Sequence, residues 1–372
     1  MGNTFLTAQE IARQALPILS NNIVMPALMH TDFSEEFKKK GDVIQVEKPA
    51  VFVADEFGTT INLQDINPEP VLVKLDKIAD VSVSIGAKEM ALNLEDFNRQ
   101  VLEPAVVAIA DKINNDALGL YANVPYFVGT SGTTPDGLDD FANARKSLNT
   151  RKVPLSPRYA VWNPDAEAKF SVLDSIVNAE KSGSNLALRE GSIGRVGAFD
   201  NFMAQGVKTH TAGGYTAATA PKIKTQTVAG DTIALKASAG TGKLLKGDLL
   251  TIAGKQYVVK ADTANAVTND IDVVTVYPDV PAGITVDTVV AFADATAGGH
   301  VANMAFHKSA FCFVNRPLEM APGTQSYVTS FNGISVRIVM AYDITTKKTI
   351  MSIDTLYGVT PLYPELATRV LG

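Results

Sequence analysis

The stretch Leu92–Tyr121, LNLEDFNRQVLEPAVVAIADKINNDALGLY, reads as one long helical element, and the rest of the chain can be placed around it. Asn93 is a good N-cap, and Glu95 and Asp96 fall where the positive end of a helix dipole favours acids. Val101, Ala105, Ala108, Ile109, Lys112, Ile113 and Leu120 recur at helical spacing and make a mostly apolar face. Pro104 has no amide hydrogen to donate, so it either kinks the helix or starts its second half. At about 1.5 Å per residue the element reaches on the order of 40 Å, long enough to serve as a spine.

Upstream, the period changes. Thr7 to Leu28 carries a helical stripe at Ile11, Ala15, Ile18 and Leu19, broken by Pro17 and Pro26. Two short helical pieces in an extended arm fit that pattern. Such an arm would bury little against its own domain and would lie on something else. From Val43 to Lys48 the period is two, and it is two again in VLVKLDKIADVSVSIG, where Val81, Val83 and Ile85 share a face. Between the two runs lies a turn-rich tip, FGTTINLQDINPEP. Two long strands around such a tip predict a projecting hairpin, and a lone hairpin needs a neighbour to be stable in water.

Downstream of Tyr121 the pattern is mixed α/β. A glycine-rich loop (Gly129 to Gly137) is followed by a helix near Leu138 to Leu148, the strand RYAVWNP and a helix near Ala166 to Val177. From Thr216 to Gly299 the composition shifts to Ala, Thr, Val, Gly and Asp, with short runs such as DTIALKA, GDLLTIAG, KQYVVKA, DVVTVYP and TVVAFA. Strands at that spacing predict a small all-β module inserted into the α/β part, which resumes at HVANMAFHKSAFCFVNRPLEM. The chain closes on a strand pair around the polar turn Thr345-Thr346-Lys347-Lys348.

Composition narrows the function classes. The chain has 372 residues, a hydrophobic content of 46% and a charged content of 19%, enough to bury cores in two or three domains. A net charge of −6 argues against a general nucleic-acid coat. The basic run Lys38-Lys39-Lys40 follows Glu35-Glu36 and reads as a solvated face. One cysteine, Cys312, excludes an internal disulfide and a multi-thiolate metal site. No run approaches a membrane span, and MGNTFLTAQEIARQALP lacks the basic start and apolar block of a signal peptide. Leu6 stands where a myristoylation signal wants Ser or Thr.

Catalytic patterns fail one by one. His30, His210, His300 and His307 form no helix-spaced pair and no HExxH. SAGTGKLLKGD falls short of a phosphate loop, because Ala237 stands in place of the first glycine and Leu244 follows Lys243. Gly191, Gly194 and Gly197 have the wrong spacing for a dinucleotide fingerprint. There is no GxSxG elbow and no convincing acid–base pair of carboxylates. HKSAFCFVNRPLEMAPG holds His307 and Cys312, but Cys312 sits between two phenylalanines with no cation to stabilise a thiolate. Read as a regular strand, it puts His307 and Cys312 on opposite faces. Catalytic, cofactor and metal sites are all absent from this reading.

HKSAFCFVNRPLEMAPG, followed by NGISVRIVMAYDITTKKTIMSIDTLYGVTPLYPELATRVLG, resembles the C-terminal signature of major capsid proteins of tailed bacteriophages, in the coat-protein subfamily typified by the Salmonella phage P-twenty-two. LREGSIGRVGAFDNFMAQGVKTHT resembles the family's strand and loop before its inserted domain, and LNLEDFNRQVLEPAVVAIADKIN its spine-helix entry. LLKGDLLTIAGKQYVV and VVTVYPDVPAGI are similar to the insertion domain. The resemblance implies an α+β chain with the Hong Kong 97-like capsid fold. Its parts would be an arm at 1–40, an extended β-hairpin loop at 41–86, a peripheral domain with the spine helix at 87–124 and an axial domain at 125–215 and 300–340. An inserted β-barrel-like domain would occupy 216–299, and C-terminal strands 341–372.

The function implied is a subunit that self-assembles, as pentamers and hexamers, into an icosahedral shell around double-stranded DNA in the virion, after synthesis in the bacterial host cytoplasm. The implied partners are a scaffolding protein, a portal protein and, as an option, a decoration protein, with no sequence-specific DNA binding, no membrane and no cofactor. A cleaved helical scaffold segment found in some relatives is missing here, which implies a separate scaffolding protein. At the hairpin tip, Asp55, Glu56, Asp65 and Glu69 are the candidate intersubunit contacts. Two other readings stand beside this one. A nanocompartment shell of the same fold would need a cargo pocket, and a hydrolase with an inserted β-domain lacks a catalytic constellation.

Overall fold

The computed structural model describes residues 23–31, 43–47, 70–85, 98–182, 193–215, 220–267, 269–294, 298–320, 323–331, 334–346 and 348–372, with Ile11, Ala15, Leu19 and Gly191. The chain forms two compact units. The first gathers the described residues of 1–22, 31–112 and 312–362, and the second those of 23–30, 113–311 and 363–372.

A five-stranded sheet forms the core of the first unit. Its order is Phe311–Arg316, Lys348–Pro361, Ile334–Asp343 and Gln325–Phe331, with Lys77–Ile85 also paired to Lys348–Pro361. Ile334–Asp343 and Lys348–Pro361 are the expected closing pair, in register from Arg337↔Asp354 to Asp343↔Lys348. Asp343 shapes the turn between them, accepting from the Thr345 N–H at 2.9 Å and the Thr346 hydroxyl at 2.7 Å. Alternation holds along both strands, with Val336, Ile338, Met351 and Ile353 buried. Inside the sheet Asn315 is satisfied on both ends. Its Nδ2 donates to Thr355 Oγ1 at 2.8 Å, and its Oδ1 accepts from the Ser335 N–H at 2.7 Å.

The long run Val71–Gly86 departs from the expected hairpin. It breaks at Leu75 and Asp76 into two strands with different partners. Pro70–Lys74 pairs antiparallel with Val43–Glu47, whereas Lys77–Ile85 pairs with the C-terminal strand from Tyr357↔Lys77 to Thr349↔Ile85. The inward face of the second piece, with Ala79 and Ile85 buried, has an apolar sheet to cover, and a two-stranded ribbon offers none. The arm differs too. Ile11, Ala15 and Leu19 are helical, four residues apart and fully buried within this chain, so the expectation that the arm buries little of itself does not hold for them.

The spine is a π-helical turn, Asn98–Leu102, then the α-helix Glu103–Leu118 and a 3-10 turn, Gly119–Asn123. Pro104 is the second residue of the α-helix, directly after the π-helical turn, so the helix changes its pitch where the proline has no N–H to donate. Asn93, Glu95 and Asp96 lie outside the described residues. The buried stripe is Leu102, Ala105, Val106, Ile109, Ala110, Ile113 and Ala117. Ala108 and Lys112 are exposed, so the face is rotated by about one position from that expected. Sixteen α-helical residues span roughly 24 Å.

A seven-stranded mixed sheet organises the second unit, in the order Phe127–Val128, Ala367–Leu371, Gly299–His307, Arg158–Trp162, Phe199–Met203 and Arg195–Val196, with Thr209–Thr211 also paired to Gly299–His307. The helix Leu138–Thr150 lays Phe141, Ala144 and Leu148 on Trp162 and Phe170. Phe141, Trp162 and Phe170 make a triad of rings with centroids 4.6–5.0 Å apart. The helix expected near Ala166 to Val177 starts earlier and is two pieces, Pro164–Ser171 and Asp174–Val177. The first opens with Asn163 Oδ1 accepting from the Ala166 N–H at 3.2 Å and Pro164 at the first position.

Within the same unit, the Thr216–Gly299 segment forms a six-stranded antiparallel sheet. Its order is Val290–Phe292, Leu249–Ile252, Lys255–Val259, Ile271–Val280, Gly230–Lys236 and Lys222–Ile223. The two end strands meet, since Ile223 N–H donates to Thr288 O at 2.9 Å and Val290 N–H to Pro221 O at 2.8 Å. The sheet therefore closes into a barrel. Its lumen holds Ile233, Leu235, Leu250, Ile252, Tyr257, Val274 and Val276, all buried. Lys–Asp pairs dot the outside, among them Lys224–Asp270 at 3.2 Å and Lys260–Asp231 at 3.1 Å.

Candidate functional site

The chain enters and leaves the barrel side by side. Thr209–Thr211 pairs antiparallel with Gly299–Val301, placing His210 directly opposite His300. Both rings point into a closed interior, 3% and 1% exposed, with centroids 5.2 Å apart. Each histidine takes an aspartate supplied by the barrel. His210 Nε2–H donates to Asp248 Oδ1 at 2.8 Å, leaving Nδ1 to accept from the Tyr121 hydroxyl at 3.1 Å. His300 Nδ1–H donates to Asp294, 2.9 Å and 3.0 Å from its two oxygens. Ser131 Oγ lies within hydrogen-bond reach of Asp294 Oδ1, at 2.5 Å, and of Gly299 O, at 2.6 Å.

Asp248 also shapes the chain around it. It accepts from the Leu245 N–H at 2.8 Å and from the Gly213 N–H at 3.1 Å, where the chain enters the barrel. Glycine is needed at 213, because a Cβ there would stand 2.4 Å from Lys243 O and 2.8 Å from Leu244 Cα.

Arg369, from the last strand, is fully buried in the same region. Its Nε donates to Val124 O at 3.0 Å and its Nη1 to Gly247 O at 2.8 Å, and its guanidinium lies 5.1 Å from the Tyr121 ring centroid. Burial draws its pKa down to about 9, against the opposing pull of Tyr121, Asp294 and Asp248, so it carries its charge at neutral pH. Burial raises the Tyr121 hydroxyl despite Arg369. Asp294 ends below the usual carboxylate range. Burial pushes it up, but the hydrogen bonds from His300 and Ser131 together outweigh that.

Other bonds reinforce the hold on the barrel. Gln256 pairs with the backbone of Phe127 as a strand would, accepting its N–H at 3.2 Å and donating to its carbonyl at 2.8 Å. Tyr277 hydroxyl bonds to Glu365. Leu249 and Val258 pack with Leu371 in a small apolar cluster. The arrangement fastens the barrel to the mixed sheet through buried, directional bonds. Among the described residues, no group of three or more His, Cys, Asp or Glu could hold a metal ion.

The sequence-predicted contact residues Asp55, Glu56, Asp65 and Glu69 lie outside the described residues. His307 and Cys312 do not share one strand. The 3-10 turn Lys308–Ala310 separates Gly299–His307 from Phe311–Arg316, which belong to different sheets. His307 Nδ1 accepts from the Ser309 N–H at 3.2 Å, and burial holds its pKa below the ordinary histidine value. Cys312 is fully buried in the strand. Sequence reasoning missed the His210–Asp248 and His300–Asp294 pairs and Arg369. The two histidines stand ninety positions apart, so only the strand pairing brings them together. The signal that was available is the pair of histidines flanking the compositional break at its two ends.

The P22 coat protein, gene protein 5, family model matches residues 54–302. No protein with a curated description matches the chain. A solved structure from Mycobacterium phage Che8 is similar at a TM-score of 0.54 and 13% identity, over 94% of this chain and 90% of that one. A capsid structure of the cyanophage P-SCSP1u has a TM-score of 0.47 and 13% identity, covering 89% and 84% of the two chains. A virus-like particle from Pyrococcus furiosus has a TM-score of 0.43 and 8% identity, covering 98% of each. The fold, mixed helix and sheet with several sheets, is Hong Kong 97-like. With the family model covering most of its length, the chain belongs to the P22 coat protein family: it is a major capsid protein, a structural subunit of a phage shell, located in the virion.

Proposed function

We propose that the subunit closes, as pentamers and hexamers, into an icosahedral shell that encloses double-stranded DNA without reading it and has no catalytic role of its own. A separate scaffolding protein guides closure, a portal protein occupies a vertex, and a decoration protein is an optional addition. The observation that carries this reading is the ribbon of Val43–Glu47 and Pro70–Lys74. Its pairing puts Val43 and Leu72 on one face, and they are 45% and 53% exposed. The ribbon's other face is covered within the chain, with Val73 fully buried, so it is this apolar, exposed face that calls for a neighbouring subunit. The net charge of −6 suits an inner wall that releases its genome. The barrel is read as an inserted module that braces the subunit's second unit.

Electron microscopy of the full chain, expressed with and without the scaffolding protein, tests the shell. Hollow closed particles are expected, and free subunits should show no salt-sensitive binding to duplex DNA near physiological ionic strength. A stable small oligomer that binds DNA tightly, or particles that select a protein cargo other than the scaffolding protein, would overturn the reading.

The tip carboxylates give a separate prediction. Asp55, Glu56, Asp65 and Glu69 are proposed to meet basic groups on the adjacent subunit, where rim charges set register and on-rate more than affinity. Reversing two of them to lysine should slow or misdirect assembly, followed by light scattering, while the melting temperature of the free subunit stays within about a degree. An equal loss of subunit stability would place the tip against its own body instead.

A further inference from the structure

Two atoms of the junction, Arg369 Nη2 and His300 Nε2, are buried without a hydrogen-bond partner. His300 Nδ1–H is committed to Asp294, which leaves Nε2 as a bare acceptor. The charged and titratable groups around it come from four elements. Asp294 and Asp248 come from the barrel, His210 from the entering strand, Arg369 from the last strand and Tyr121 from the 3-10 turn after the spine helix. A proton placed on Nε2 would become a buried donor with no acceptor, on a cation flanked by Arg369 and by a second imidazole 5.2 Å away. Asp294 favours that proton, while Asp248 is already engaged by His210, Gly213 and Leu245.

We propose that His210 and His300 form an acid-labile latch: protonation of His300 parts Thr209–Thr211 from Gly299–Val301 and loosens the stem of the barrel while the barrel itself stays folded. The stem is the only strand pairing among the described residues that joins the entering and leaving segments, and its centre is the histidine pair. Opening it lets water reach Nε2 and removes the conflict with Arg369.

The pH window follows from the direction of the effect. Burial holds closed-state His300 below the ordinary value despite the pull of Asp294, with Arg369 and His210 adding to the depression. The opened state takes a proton near 6.5. The opened state therefore binds more protons below that pH, so closure is fully favoured above about 6.5 and loses ground as the pH falls. Asp294, held low by His300 and Ser131, stays ionised through this window. His307 is depressed by its own burial elsewhere, so a global melt would mix two contributions and a local measurement is needed.

Hydrogen exchange on the full chain, corrected for intrinsic rates, supplies that measurement, and it reads the stem whether or not shells form. Between pH 7.5 and 5.5 the opening equilibrium read at Ala212 and Ala302, whose N–H groups donate across the stem to Gly298 O and Lys208 O, should rise by up to about tenfold, the factor for a histidine that takes its proton only when open. Protection at Ile271–Val280 in the barrel should change far less. His300→Asn keeps an amide donor at the Nδ1 position for Asp294 and cannot titrate, so its stem should lose the pH dependence, whereas His307→Gln should keep it. The proposal is overturned if the wild-type stem is insensitive to pH, if acceleration is equal throughout the barrel, or if His300→Asn retains the full dependence. Should His300→Asn fail to fold, the wild-type comparison of stem against barrel decides.

Discussion

Asp248→Ala is expected to destabilise the subunit by about 3 kcal/mol or more, the order expected when one buried acceptor is stripped from several donors. Asp248 is 3% exposed and accepts from three groups: His210 Nε2, the Leu245 N–H and the Gly213 N–H. Alanine leaves His210 Nε2 buried and unpaired, at about 1–3 kcal/mol, and takes the acceptor from two part-buried backbone N–H groups as well. It also removes one of the two carboxylates that help offset the buried charge of Arg369. Urea unfolding followed by Trp162 measures the loss, since that residue is the chain's only tryptophan and is 1% exposed in the same unit. Asp248→Asn, which retains one acceptor oxygen, should lose clearly less. Asp272→Ala, on the barrel's outside beside Lys224, should leave the midpoint almost unmoved, because exposed pairs are screened. Equal midpoints for Asp248→Ala and Asp272→Ala would show that the junction does not hold the fold.

Gly358→Ala should be nearly as damaging in the first unit, for a steric reason. A Cβ at 358 would lie 1.9 Å from Lys74 O, 3.0 Å from Lys74 C and 3.4 Å from Leu75 Cα. All three are backbone atoms, so no side-chain rotation relieves the clash. The chain must move where Pro70–Lys74 gives way to Lys77–Ile85, next to the Tyr357↔Lys77 pair. Overpacking of this kind reaches about 3 kcal/mol. Thermal unfolding of the free subunit should show a drop of several degrees, and hydrogen exchange should quicken at 77–80. Gly254→Ala is the contrast. Its φ of +77° carries local strain, but nothing stands within 4 Å of the new methyl, so the effect should be smaller and confined to its turn. A Gly358→Ala subunit that melts with the wild type would mean the backbone at Lys74 yields freely.

Local periodicity made much of the fold legible. The spine helix, the closing strand pair and the short strands of the barrel all carry a side-chain period that burial then follows. Partner choice was not legible. Lys77–Ile85 alternates equally well as half of a hairpin or as a rib beside Lys348–Pro361, and only the apolar sheet it can cover decides. The same limit hid the turn at Lys308–Ala310, since Phe311, Cys312 and Phe313 are all buried and an uninterrupted apolar run has no period to break. The junction was least visible, because Tyr121, His210, Asp248, Asp294, His300 and Arg369 come from five separate stretches. Each looks ordinary alone. Their meaning lies in non-local pairing that no spacing rule records.

The adjacency of the barrel's two ends bears on how such a chain can change over generations. Ala212 N–H donates to Gly298 O at 2.9 Å, so the body meets a loop whose ends already touch, whatever lies between. Doubling such a loop costs only about 0.6 kcal/mol of closure entropy, so length by itself is no obstacle to exchanging the module for another with close termini. The obstacle is chemical. Asp248 and Asp294 are lent by the module to histidines that belong to the body, so a foreign replacement would strand His210, His300 and Arg369 in a dry interior. A lineage that swaps or deletes the barrel must therefore replace these three residues in the same step, or bring two acids in matching positions.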